Sequence, residues 1–366
     1  MKPQMKIAAA AITVFAAMVS LTALAGDLVG SAPSYEPASQ QYKGTLRLFG
    51  SALKGVVASW AEAYAKLQPN VRFAINPGGS DAAIGSIQHG TADIAVFGRE
   101  LTLNDYLGFS ENHGYNPTEI IVASGGFDVP GSSFGLVVFV NKENPLRGLT
   151  MKQLDGIFGS QRTGGYRGYQ WIPVERSAQD NIRTWGQLGL GGEWKNKPIQ
   201  TYGYADGGMA QFFQFEVFAG GDKWNENYRQ YVEDGTRILG KELKGSASGI
   251  LSMLAEIEKN KYGIGFAGFP QWKKVPDVTG IRPVALSKDG GPFVVPTRET
   301  MTDRSYPLTR SVYFYINKDP ARPLSPMVED FIKFVLSREG QEIVEKNGIY
   351  LPLPADVAQA GRAKLE

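Results

Sequence analysis

Three times along this chain an apolar, strand-like run ends in a glycine turn and enters a helix-like run. "GTLRLFG" (44–50) leads into "SALKGVVASWAEAYAKLQ" (51–68), and "VRFAIN" (71–76) leads into "PGGSDAAIGSIQHG". A run ending in "IQTYGY" leads into "ADGGMAQFFQFEVF" (205–218). Parallel strands can be joined only through a crossover, so this alternation constrains the chain to mostly parallel sheets flanked by helices. Between 51 and 68, Leu53, Val56, Val57, Trp60, Tyr64 and Leu67 recur at helical spacing, with Ser51 as the expected N-cap. Further strands are expected at 92–98, 134–141, 262–269 and 311–317. Helices are expected at 149–159, capped by Thr150, and at 245–260. The clearest helix is 325–348, with Ser325 as cap, Pro326 in the first turn and Gly348 at the end.

The fold begins after a leader. Lys2 and Lys6 precede the apolar run "IAAAAITVFAAMVSLTAL", and Ala23-Leu24-Ala25 forms a small-x-small cleavage signal. Residues 1–25 therefore read as a secretory signal peptide. No cysteine stands at the junction, so a lipid anchor is not expected, and the product is placed in the periplasm or secreted. Residues 26–43 are polar and rich in Pro and Ser, and read as a flexible lead.

The chain from residue 44 onward is long enough to suit two lobes better than one core. With no cysteine and two histidines, neither disulfides nor a soft-metal site is expected, and no cofactor is called for. A net charge of +2, with both signs spread along the chain, argues against nucleic acid. Four helix starts, at 50–53, 78–82, 206–209 and 245–248 (with Ser246), carry small or hydroxyl residues after a strand. If they converge, they form a ligand crevice of backbone N–H groups and helix dipoles suited to an oxyanion.

Longer pieces carry a resemblance. "NPLRGLTMKQLDGIFG", "IRTWGQLGLGGEWKNKPI", "YGIGFAGF", "YPLTRSVYFYIN" and "FIKFVLSREGQEIVEKNGIYLPLP" look like the exported phosphate-binding proteins of bacterial ABC transporters. The similarity runs over residues 44–354. It implies the two-lobed α/β type II periplasmic binding-protein fold, with mixed, mostly parallel sheets and the ligand cleft between the lobes. The first lobe would comprise 44–133 and 269–366, and the second 134–268, with crossovers near 130–136 and 266–272. It also implies a monomeric protein without catalysis, serving an inner-membrane ABC permease.

Carried over position by position, the family's ligand contacts fall on Ala52 and Leu53 after Gly50-Ser51, and on Ser80 in "GGSD". At the end of the third strand the family has an acidic or hydroxyl residue; here stands Gly98, followed by Arg99. A basic residue and Ser-Gly-Thr should precede the middle helix. Here those positions hold Tyr204 and Gly207-Gly208-Met209, in a shorter loop. The missing donors would cost roughly 1.5–3 kcal/mol each toward a charged ligand. Two readings stay open. Either backbone N–H groups and Arg99 still hold an oxyanion, or the site takes another small solute, with Tyr202 and Tyr204 as flanking surface or as plain core. Arg99 could equally pair with Glu100 or Asp105 at the surface.

Enzyme signals are thin. Ser133 in "GSSFG" precedes a strand, whereas a nucleophile elbow needs a strand-to-helix turn. Ser51 and Lys54 match Ser-x-x-Lys without its Lys-Thr-Gly companion. His89 and His113 lack a metal partner at helical spacing, and Asp81, Asp206 and Glu216 read as caps or helix-face charges. The alternatives to a transport receptor are a secreted phosphoester hydrolase and a diverged interaction protein that no longer binds phosphate.

Overall fold

The computed structural model describes residues 31–233, 237–238, 241–242, 249–288 and 290–366. The leader 1–25 and the helix start containing Ser246 lie outside the described residues.

Two five-stranded sheets organise the chain. We number their strands β1 (Gly44–Gly50), β2 (Val71–Asn76), β3 (Ile94–Phe97), β4 (Thr118–Ser124), β5 (Leu136–Asn141), β6 (Gln200–Tyr204), β7 (Arg229–Tyr231), β8 (Gly263–Gly268), β9 (Ile281–Pro283) and β10 (Ser311–Ile316). The first sheet runs β2-β1-β3-β10-β4 and the second β7-β6-β8-β5-β9. In each, three strands are parallel and the other two are antiparallel to their neighbours. The two orders match position for position, with β10 and β5 as the counterpart strands that enter each lobe from a crossover. Both are buried at every residue, as strands covered on both faces must be.

The expected elements form for local reasons. The helix Val56–Leu67 buries Val56, Val57, Trp60, Ala61 and Tyr64, one stripe, against the first sheet. Thr150 caps Met151–Phe158 through a capping box with Gln153. Phe213 anchors the middle helix Gly208–Val217 by stacking on Phe266 of β8, ring centroids 3.9 Å apart. No helix among the described residues is long and apolar enough to cross a membrane.

Two expectations differ from the structure. The stretch 325–348 is two helices, Pro326–Val335 and Arg338–Asn347, because the buried Ser337 leaves helical geometry and accepts the Gly340 N–H at 3.2 Å. The second crossover, expected near 266–272, lies further on. β9 pairs with β5, Ala285–Ser287 pairs with Gly148–Thr150, and Tyr306 and Leu308 join the second lobe's core. The chain returns to the first sheet only at Ser311. There it lies beside the first crossover, with Leu136 N–H on Leu308 O (3.0 Å) and Gly125 N–H on Arg310 O (2.7 Å).

The described part of the lead is docked at its Tyr35 end. The Tyr35 N–H donates to Glu339 (2.7 Å), and the Arg338 N–H donates to Pro33 O (2.9 Å). The Tyr35 and Tyr64 hydroxyls donate to the same Oδ2 of buried Asp330, at 2.7 and 2.6 Å. Burial, and then Asp330, push both phenols' pKa values well up. Removing one of two donors to a buried carboxylate should cost about 1.5–3 kcal/mol. Tyr64→Phe is therefore expected to lower the urea midpoint, and an unchanged midpoint would show that the shared bond adds nothing.

Candidate functional site

Loops at the carboxyl ends of β1 and β8, the first crossover and the start of the middle helix enclose a cleft of about 490 Å³. Such a position, outside the carboxyl ends of parallel strands, is where open α/β sheets take ligands. The first lobe contributes Ser51, Ala52, Leu53 and Lys54, and the crossover contributes Ser132 and Ser133. Met209, Glu233, Gln271 and Lys274 face them from the second lobe, with Tyr350 beside the crossover.

The first loop departs from a simple strand-to-helix turn. Ser51 donates its N–H to Val96 O at 2.8 Å and so stays tied to the sheet. Its hydroxyl accepts the Leu53 N–H at 3.3 Å rather than capping the helix, which begins only at Val56. Between them Leu53 (φ 42°), Lys54 (φ 51°) and Gly55 (φ 90°) are all left-handed. Two successive non-glycine residues in that region are strained, and such strain clusters at functional sites. The Ala52 N–H meets no acceptor among the described residues.

The second and third loops are bound to each other. The Ser80 hydroxyl accepts the Gly98 N–H at 3.0 Å, and the Ser133 hydroxyl donates to Gly98 O at 2.6 Å. Both backbone groups of Gly98 are thereby engaged. Arg99 is held by Asp81 (2.9 Å) and Asp105 (2.8 Å) and also donates to Glu100 O, so two carboxylates already neutralise it. Burial opposes its charge, but Asp105 and Asp81 hold its pKa above the ordinary guanidinium value. Ser80, Gly98 and Arg99 are not among the residues lining the cleft.

At the fourth loop Asp206 accepts the Gly207 N–H at 2.6 Å, and no side chain caps the middle helix. Gly207 and Gly208 bring the chain to the helix start, and Met209 reaches the cleft wall. Tyr202 and Tyr204 belong to the second lobe's core, 2% and 0% exposed. The Tyr204 hydroxyl bonds Gln271, and the Tyr202 hydroxyl accepts from Asn260 at 3.0 Å. They are not a ligand platform.

The residue missed from the sequence is Arg310. It sits at the second crossover, 2% exposed, with Nη2 2.8 Å from Glu100 Oε2 and 3.0 Å from Gly208 O. Its Nη1 lies 3.1 Å from Met209 Sδ, and its guanidinium lies over Phe212. Tyr313 donates to the same Glu100 at 3.1 Å. Burial works against the Arg310 charge, and Glu100 more than offsets it, leaving the pKa raised. The pair thus joins a first-lobe loop, the crossover and the second-lobe helix just behind Met209. The available signal was a lone arginine opening the apolar run "SVYFYIN".

The enzyme-like motifs separate from any machinery. Ser133 stands in a crossover leading to β5, and Ser51 is engaged by Leu53. His89 is exposed at a helix end, and His113 Nε2 lies 3.0 Å from Gln88 O. Among the described residues no group of His, Cys, Asp or Glu could hold a metal ion.

Residues 37–339 match the model of the PBP superfamily domain. The phosphate-binding protein PstS of Pseudomonas aeruginosa is 35% identical over 353 residues, covering 96% of this chain and 95% of that protein. The protein of the same name from Staphylococcus haemolyticus is 23% identical, covering 93% and 91%. The crystal structure of PstS from Borrelia burgdorferi superposes with a TM-score of 0.52 at 16% identity, over 85% of this chain and 99% of that one. The chain belongs to the phosphate-binding PstS family of ABC-transporter substrate-binding proteins, within the PBP superfamily.

Proposed function

We propose that this protein, after export, captures phosphate in the interlobe cleft and presents it to an inner-membrane ABC permease, with no catalysis of its own. The observation that carries the reading is the cleft itself. It gathers the Ser51 hydroxyl, an Ala52 N–H that meets no acceptor among the described residues, and two lysines into one interlobe space. Donors and cations of this kind suit an oxyanion. The relative named as phosphate-binding, aligned over nearly the whole chain, supports phosphate as the anion.

In this reading Ser51, Ala52, Leu53 and Met209 lie on the ligand, Gly207 and Gly208 set the helix start, and Ser80, Gly98 and Arg99 buttress the loops. Paired crossovers beside the cleft fit hinge closure over the bound anion.

Calorimetric titration of the ligand-stripped mature protein with phosphate tests this, with sulfate and a phosphomonoester in parallel. Saturable binding with a Kd on the order of 1 μM or tighter is expected for phosphate. Absence of heat and of any thermal shift with phosphate overturns the reading. Turnover of the phosphomonoester would favour a hydrolase instead.

A further inference from the structure

The cleft lacks the guanidinium one expects beside a buried oxyanion. Arg99 is neutralised by Asp81 and Asp105, and Arg310 by Glu100, behind Met209. Two cations remain among the lining residues: Lys54 from the first lobe and Lys274 from the second. Among the described residues neither ammonium has a carboxylate within ion-pair distance. Glu233 is the carboxylate that shares their cleft.

Lys54 is placed by backbone geometry that surface lysines do not need. Its φ of 51° follows the 42° of Leu53, so the chain accepts strain at two consecutive residues there. The buried Leu53 side chain fixes the turn in the first lobe's core. The Lys54 ammonium comes to rest on the first crossover, where a Cβ on Gly131 would lie only 2.9 Å from Nζ. Any side chain at 131 would therefore push the ammonium aside. Lys274 follows the short helix Phe269–Trp272 at the end of β8, and its N–H is fixed to Gln271 O at 3.1 Å.

We infer that Lys54 and Lys274, one from each lobe, are the paired cations that hold the anion in this cleft, taking the part left vacant by the arginine missing before the middle helix. The inference rests on the phosphate reading above and names its charged contacts. Both ammonium groups bring like charge into one cleft. An oxyanion seated between them attracts both, so binding and closure of the lobes are coupled.

The test titrates phosphate into the mature wild-type protein and its Lys54→Met, Lys54→Arg and Lys274→Met variants, at low and moderate salt. Each methionine variant is expected to weaken binding about ten- to hundredfold, the loss of a charged hydrogen-bond partner. Lys54→Arg should retain most of the affinity. The thermal midpoints without phosphate should stay at the wild-type value, because both side chains are exposed. Wild-type affinity in either methionine variant overturns the pair while leaving the phosphate reading intact. A Lys54→Arg variant as weak as Lys54→Met overturns the role of charge at that position. Wild-type protein that gives no phosphate heat overturns both readings together. A fall in association rate with an unchanged Kd would reduce the lysines to steering groups and also overturn the pair.

Discussion

An Arg310→Met variant is expected to unfold well below the wild-type protein. The substitution keeps an elongated apolar stem against Phe212 and Met209 but deprives Glu100 of its counter-charge. That carboxylate is 8% exposed and would keep only the Tyr313 hydroxyl, 3.1 Å away. The Gly208 carbonyl would lose its Nη2 donor at the same time. Breaking a buried ion pair from one side typically costs about 3–5 kcal/mol, because the surviving charge has neither water nor a partner. For a chain of this size that corresponds to a fall of roughly 4–7 °C in midpoint. Differential scanning calorimetry reads it directly. Arg310→Met combined with Glu100→Gln should recover much of the loss, since it removes the stranded charge. A single variant as stable as wild type would show that Glu100 finds water in the folded state. A double variant no better than the single would show that packing, not charge, carries the effect.

The second large effect is expected at Gly50, where β1 turns into the first cleft loop. Gly50 has φ +132°, a region L side chains rarely adopt. A Cβ there would lie 2.2 Å from Val96 O and 2.9 Å from the Ala83 Cβ. Val96 O is also the acceptor of the Ser51 N–H that fixes the loop to β3. Gly50→Ala cannot be accommodated by rotating a side chain, because backbone stands in the way. Strain and overpacking together should destabilise by about 3 kcal/mol. The loop should also shift, so phosphate affinity should fall beyond what stability alone explains, measured by calorimetry at a temperature where the variant is fully folded. Unchanged stability would mean that β1 and β3 separate readily at this end.

Arg310 and Arg99 illustrate why the site was harder to read than the fold. Both are arginines near the ends of apolar runs, and nothing in local sequence says which carboxylate each one meets. Arg99 finds Asp105 six residues on, within reach of local reasoning. Glu100 and Arg310 are 210 residues apart and meet only because β10 inserts beside β3. The crossover position failed for the same reason. The short strand β9 pairs with β5 across 140 residues, and no periodicity in a three-residue strand announces it. Ser51 reads as a helix cap by type and position, yet the left-handed residues after it postpone the helix to Val56.

Local rules decided the rest. Thr150 with Gln153, Pro326 after Ser325, and Gly348 in the left-handed conformation (φ 73°) act through groups within a few residues, so sequence alone identifies them. Strand–turn–helix alternation likewise pointed to a mostly parallel α/β chain, because hydrophobic periodicity reports which faces must be buried, while the two lobes came from chain length and the family resemblance. Which charges are free was decided only by tertiary structure. Among the described residues Arg99 and Arg310 are neutralised and Lys54 and Lys274 are not, because charge pairing depends on distances of a few ångströms between segments that the chain brings together only once both sheets have formed.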